Sequence, residues 1–183
     1  MREYAVRRNL SAETKSVINF IDEIFKNNFI KSVKNGDTDI IDKVSGILKD
    51  NGTSTKRNTR SLLSKVAFLI NPQKFSLYDS LAKESIWKIY KTRNLFNISD
   101  LDSYGGFLRQ SRSLRDYLSE GNLFRNSLNL LSKFPETEAY KFFSRNNEAF
   151  EMRIVDKFLW LEAQKKSIKI NNQVYIELIK LGL

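Results

Sequence analysis

Histidine and cysteine are both absent from this chain of 183 residues. Their absence excludes disulfides, thiolate nucleophiles, imidazole general bases, Ser-His-Asp triads, Cys/His zinc sites and cysteine-ligated iron–sulfur clusters. No metal site or cofactor is expected, and any chemistry falls to carboxylates, amines, hydroxyls and the backbone. No apolar run approaches the ~18 residues that span a bilayer. The opening residues Met1-Arg2-Glu3-Tyr4-Ala5-Val6-Arg7-Arg8 carry no apolar stretch of the kind a secretory leader needs. A cysteine-free chain suits a reducing compartment, so the expectation is a cytoplasmic protein with no membrane partner. Only two prolines and seven glycines interrupt the chain, which favours helix.

Charge is what the chain has in excess. Thirty-one Lys and Arg against 21 Asp and Glu leave a net charge of +10. With 41% hydrophobic residues, the chain can bury a core, and its length suits a single domain over 1–183. Such a surplus favours an acidic partner, of which nucleic acid is the commonest; a surface that merely aids solubility is the alternative.

Helical periodicity runs through most of the sequence, so the expected class is all-α. Ser11 can cap a first helix whose apolar residues Val17, Ile18, Ile21, Ile24, Phe25 and Phe29 fall on one stripe. A second helix begins at Asp37 or Thr38 and stops at Asn51-Gly52. Residues 51–60 carry no apolar side chain and read as an exposed loop. A third helix covers Ser61 to Ile70 and ends before Pro72. Asp79 caps a fourth, from Ser80 to about Lys91, and Ser99 opens a longer one that reaches Gly121 with Gly105-Gly106 inside it. Shorter helices are expected at 123–131 and 136–145. An amphipathic helix follows at 147–164, with Phe150, Ile154, Phe158 and Leu161 as its stripe. The tail reads preferably as a last helix through Tyr175, Leu178 and Ile179, with a small hairpin over 168–175, turning at Asn171-Asn172, as the alternative.

Without histidine or cysteine, an amine and a carboxylate are the natural pair to look for. Lys65 lies in the apolar run Leu62-Leu63-Ser64-Lys65-Val66-Ala67-Phe68-Leu69, and its phase places it with Phe68 and Leu69. It is therefore expected on the apolar side of its helix or at a pocket rim. Burial there, beside Arg60 and Lys56, would favour the uncharged, nucleophilic amine. Asp79 stands where the chain turns into the next helix, and its carboxylate can cap that helix while still facing an opening. Trp87 and Trp160, at helical spacing, read chiefly as core.

The run Ser64-Lys65, followed by Asn71-Pro72-Gln73-Lys74-Phe75-Ser76-Leu77-Tyr78-Asp79-Ser80, resembles the helix-hairpin-helix (HhH-GPD) superfamily of DNA glycosylases. The similarity is to its small 8-oxoguanine-glycosylase-like branch, and a later patch, Arg153-Ile154-Val155-Asp156-Lys157-Phe158-Leu159-Trp160, resembles a late helix of that branch. The likeness covers residues 60–91 and 150–161. Two features depart from it. The Gly-rich hairpin before the lysine is missing, with Thr53-Ser54-Thr55-Lys56-Arg57-Asn58-Thr59-Arg60 in its place. Lys65 and Asp79 are also 14 positions apart, about one helical turn closer than is usual in the superfamily.

The resemblance implies a compact multi-helix fold that binds duplex DNA, extrudes a nucleotide and excises a modified base. Asp79 would stabilise the positive charge developing at C1′, and Lys65 would be the Schiff-base nucleophile; alternatively Asp79 activates water. Phosphates would be gripped by Thr55, Lys56, Arg57, Arg60 and Ser64. Phe68, Tyr78 and Trp87 are candidates to line a base pocket. Arg109, Arg112 and Arg115 recur every three residues and form a basic ridge that could track a phosphate backbone. The expected protein is a monomer acting in repair or in defence against phages. Two rivals stand beside this reading: a non-catalytic nucleic-acid-binding module, and a helical immunity- or antitoxin-type interaction protein with an acidic target.

Overall fold

The computed structural model describes residues 14–54, 59–93 and 101–164. Nine helices lie among them: α1 (Thr14–Lys26), α2 (Phe29–Lys34), α3 (Ile40–Asp50), α4 (Arg60–Ile70), α5 (Ser80–Arg93), α6 (Tyr104–Ser119), α7 (Leu123–Leu131), α8 (Glu138–Phe143) and α9 (Asn147–Gln164). Among the described residues the fold is all-helical. The expected Ser11 cap, the Ser99 helix start, the C-terminal helix and the phosphate-binding candidates Thr55, Lys56 and Arg57 lie outside the described residues. The chain divides into two compact units. One is Met1–Tyr78 with Asp102–Gly105, and the other is Asp79–Leu101 with Gly106–Leu183.

In the first unit α1 to α4 pack on one another around Phe20, Ile24, Phe29, Val33, Ile41, Val44, Leu48 and Leu63. The single long first helix expected from the apolar stripe is broken at Asn27-Asn28. Asn28 adopts φ 51°, a left-handed conformation that asparagine tolerates better than most residues. That break rotates Phe29 into the core on a new helix. The stripe itself is also corrected: α1 buries Ser16, Phe20 and Ile24, one turn apart each, while Val17, Ile18, Ile21 and Phe25 are exposed. Helix α3 ends as its sequence indicates, with Gly52 at φ 71° after Asn51 and the Gly52 N–H bonded to the Lys49 carbonyl.

The second unit is built on α5 against α9, with α8 also packed on α9. Ala82, Ser85, Ile86 and Ile89 form the buried face of α5; Ala149, Met152, Val155 and Leu159 form that of α9. Each large apolar side chain buried there contributes about 1.5–3 kcal/mol. Helix α9 thus corrects its sequence reading, because Phe150, Ile154, Phe158 and Leu161 are only half-buried and lie on its other side. At 100° per residue the two sets are centred about half a turn apart, so α9 carries two apolar faces. Gly105 and Gly106 are buried in the first turn of α6 rather than placed within its body, where glycine would weaken the helix most.

Candidate catalytic and nucleic-acid-binding residues

The segment from Asn71 to Tyr78, which leads into Asp79, has no regular structure but is tied down at three points of the first unit. The Asn71 side-chain amide donates to the Val33 carbonyl at 3.1 Å, satisfying an acceptor near the end of α2. Tyr104 Oη donates to the Ser76 carbonyl at 2.8 Å and accepts from the Ser76 N–H at 2.9 Å. Its ring is fully buried and stacks on Phe75 at 6.1 Å. The Tyr78 N–H donates to Ser64 Oγ at 2.9 Å. Buried backbone groups left without such partners would each cost about 1–3 kcal/mol, so these bonds hold the segment in one path.

Asp79 opens the second unit, and it caps α5 as its sequence position indicates. Its Oδ1 accepts from the Leu81 N–H at 2.7 Å, while its carbonyl accepts the first bond of the helix, from Lys83 N–H at 3.0 Å. The side chain is half-exposed. A carboxylate in this setting stands at the positive end of the helix dipole and remains open to solvent.

Lys65 differs from expectation. It is exposed, and Leu69 is 82% exposed, so the two do not form an apolar environment for the amine. The reason is the register of α4. Its buried face runs through Leu62, Leu63, Ser64 and Ala67, and Lys65 lies about 200° round the helix from Leu63. Ser64 is wholly buried, donating to the Ser61 carbonyl and accepting from Tyr78 N–H, which removes it from phosphate binding. Arg60 is paired with Asp42, whose other oxygen accepts from the Tyr104 N–H at 2.7 Å. Arg60 thus acts as a bolt between α4 and α3, another departure from the phosphate-binding expectation.

The basic ridge of α6 is divided in the same way. Arg109 is exposed. Arg115 lies 3.0 Å from Glu148 and 2.7 Å from Asp116, and 3.9 Å from Glu151; Arg112 is 3.8 Å from Glu148. Two of the three arginines are therefore engaged by carboxylates within the unit, and the ridge is not a continuous stripe of open cations. Burial alone would lower the Arg115 pKa, but Asp116, Glu148 and Glu151 outweigh it and hold the pKa above the ordinary value. Burial raises the Glu151 pKa, helped by the neighbouring charges of Glu148 and Asp116, against the opposing pull of Arg115.

Among the aromatic candidates, Phe68 is half-buried and Tyr78 is buried, both in the first unit. Trp87 belongs to the second unit and is 42% exposed, contrary to its reading as core; its ring stacks on Tyr90 at 6.0 Å, with Lys91 Nζ 4.7 Å from its centre. Trp160 is likewise exposed, and Lys157 Nζ lies 5.9 Å from its ring. Arg153 and Asp156, one turn apart on α9, form the structural pair their spacing indicates.

Two residues that organise the segment were not singled out from sequence: Asp42 and Tyr104. Asp42 carried no local signal beyond a place in the first turn of a helix, and its partners lie 18 and 62 positions away. No cluster of His, Cys, Asp or Glu suited to a metal occurs among the described residues, and none of their helices is long and apolar enough to cross a membrane. Comparison with protein-family models, curated proteins and solved structures finds no match to the chain.

Proposed function

We propose that this protein binds DNA and excises a base, with Asp79 as the carboxylate that serves the reaction. The observation that carries this reading is the half-exposed Asp79 carboxylate, held by the Leu81 N–H at the N-terminus of α5. It follows a segment pinned by Asn71, Tyr104 and Ser64. In the reaction, water adds to C1′, the N-glycosidic bond breaks, and the base leaves with the bonding pair and a proton. A fixed carboxylate stabilises the cationic transition state without reorganising at the moment of reaction. The surplus of +10, with exposed cations such as Lys65 and Arg109, supports contact with phosphates.

The decisive variant is Asp79→Asn. Asparagine caps a helix about as well as aspartate, so it removes the charge and keeps the fold. Full excision activity in that variant, on single base lesions in duplex DNA, overturns the reading. Lys65 is the amine implied by the glycosylase resemblance and has its own test. Attack of Nζ on C1′ displaces the base, and opening of the sugar ring at the C1′–O4′ bond, with the amine proton passing to O4′, leaves an imine that borohydride reduces to a stable protein–DNA adduct. Trapping that is lost in Lys65→Ala assigns the amine; trapping that persists there rejects it.

A second reading rests on a different observation. The exposed Val17, Ile18, Ile21 and Phe25 give α1 an apolar outer face, as an interaction protein would present. That reading requires negligible DNA binding even at low salt, whereas a module making ~4 phosphate contacts loses roughly 100-fold in affinity between about 50 and 200 mM salt.

A further inference from the structure

Helix α9 has a second apolar face that α5 does not use. Phe150, Ile154, Phe158 and Leu161 on that face, with Phe143 of α8 and Ser127 of α7, line a cavity of about 230 Å³ within the second unit. From Phe150 to Leu161 it follows α9 for about 16 Å. All six residues are half-buried. The lining is almost entirely apolar and aromatic, the composition of a small-molecule site, in which a few polar groups fix orientation.

Two cations complete the wall, Arg153 and Lys157, one turn apart on α9. They are not equivalent. Arg153 is paired with Asp156, so its charge is already balanced. Lys157 is exposed and makes no ion pair among the described residues; its Nζ lies 5.9 Å from the centre of the Trp160 ring. The cavity thus combines an extended apolar wall with one uncompensated positive charge at its edge. A dianionic phosphate would find one free cation and too much apolar surface; a neutral hydrocarbon would leave the lysine unused.

We propose that this cavity binds a small amphiphilic monoanion, an aliphatic carboxylate, with its chain against Phe150, Ile154 and Phe158 and its head at Lys157. Octanoate is the probe, and 1-octanol is the neutral control with the same chain length. Isothermal calorimetry on the full chain is expected to give saturable binding of octanoate. Lys157→Gln should weaken it about tenfold or more, since hydrogen bonds to charged groups are the stronger ones, and Lys157→Arg should largely retain it. The same loss is expected for octanol. In a Trp87→Phe background Trp160 is the sole tryptophan, and octanoate should change its emission with the same midpoint. Ser127→Phe, which fills the cavity, should abolish binding while the helical circular dichroism is preserved.

Absence of saturable binding overturns the proposal, as does equal affinity for octanoate and octanol or an unchanged affinity in Lys157→Gln. Trp160 emission that changes with protein concentration alone also overturns it, because the face would then be covered by a second copy.

Discussion

The two units of this protein are held together by different means. In the first, polar side chains reach across long stretches of sequence: Asp42 joins Arg60 and the Tyr104 backbone, Tyr104 clasps Ser76 through both of its backbone groups, and Ser64 takes the Tyr78 N–H. In the second, α5 and α9 meet through apolar faces, and the ion pairs of Arg112 and Arg115 lie partly exposed at the side. A buried hydrogen bond specifies one path for an irregular segment, because an unmet backbone group is penalised wherever else it goes. Apolar helix packing is less directional and tolerates sliding or repacking more readily. The segment that leads to Asp79 belongs to the specified kind, and the cavity along α9 belongs to the packed kind.

Asp79→Asn isolates chemistry from both. Excision should fall by about 100- to 1,000-fold, the scale of removing one electrostatic stabiliser, while the thermal midpoint stays close to that of the parent. Single-turnover assays and a melting curve on the same preparation check both halves. Leu159→Ala attacks the packed unit. It should lower stability by about 2–5 kcal/mol, depending on how far α5 and α9 collapse into the space. Amide hydrogen exchange should localise the largest loss of protection to α5 and α9; both tryptophans are in this unit, so their emission follows its unfolding.

Tyr104→Phe attacks the specified unit with the removal of a single oxygen. The ring still stacks on Phe75, but the buried N–H and carbonyl of Ser76 lose their partner, so a loss of about 1–3 kcal/mol is expected in denaturant titration. If the exchange protection of α3 and α4 then stays unchanged, the assignment of Tyr104 as a clasp of that unit is wrong.

The smallest effect concerns pH. The Glu151 pKa is raised in the folded state, chiefly by burial, so the folded protein holds this proton more tightly than the unfolded chain. Its contribution to stability is complete below the unfolded carboxylate value and is lost as pH rises through the raised folded value. Glu151→Gln should flatten that part of the stability–pH profile, and the Arg115 partnership makes the change slight.

Local features carried much of this architecture. The 123–131 and 147–164 helices coincide with α7 and α9, the Asp79 cap stands as read, and Asn51-Gly52 ends α3. Each depends on residues within a turn or two, where periodicity, capping and backbone preference act directly. The errors are of another kind. Helical phase groups Lys65 with Phe68 and Leu69, yet the buried face of α4 runs through Leu62, Leu63, Ser64 and Ala67. On α9 the four-residue stripe with large aromatics was the more visible one, while the face that packs on α5 is led by Ala149 and Met152. Helical spacing reads both tryptophans as core, and both lie on the surface, where their rings meet lysines.

By itself, then, the sequence determined the helical class, most helix limits, the excess of positive charge and the exclusion of imidazole and thiol chemistry. These follow from composition and from interactions between near neighbours. Only the tertiary structure decided which face of each helix is inside, which arginines are already engaged, and that Asp42 and Tyr104 hold the approach to Asp79. The two Asp42 contacts join residues 18 and 62 positions apart, whose meeting has no periodicity to reveal it and is set by the burial of the core around them.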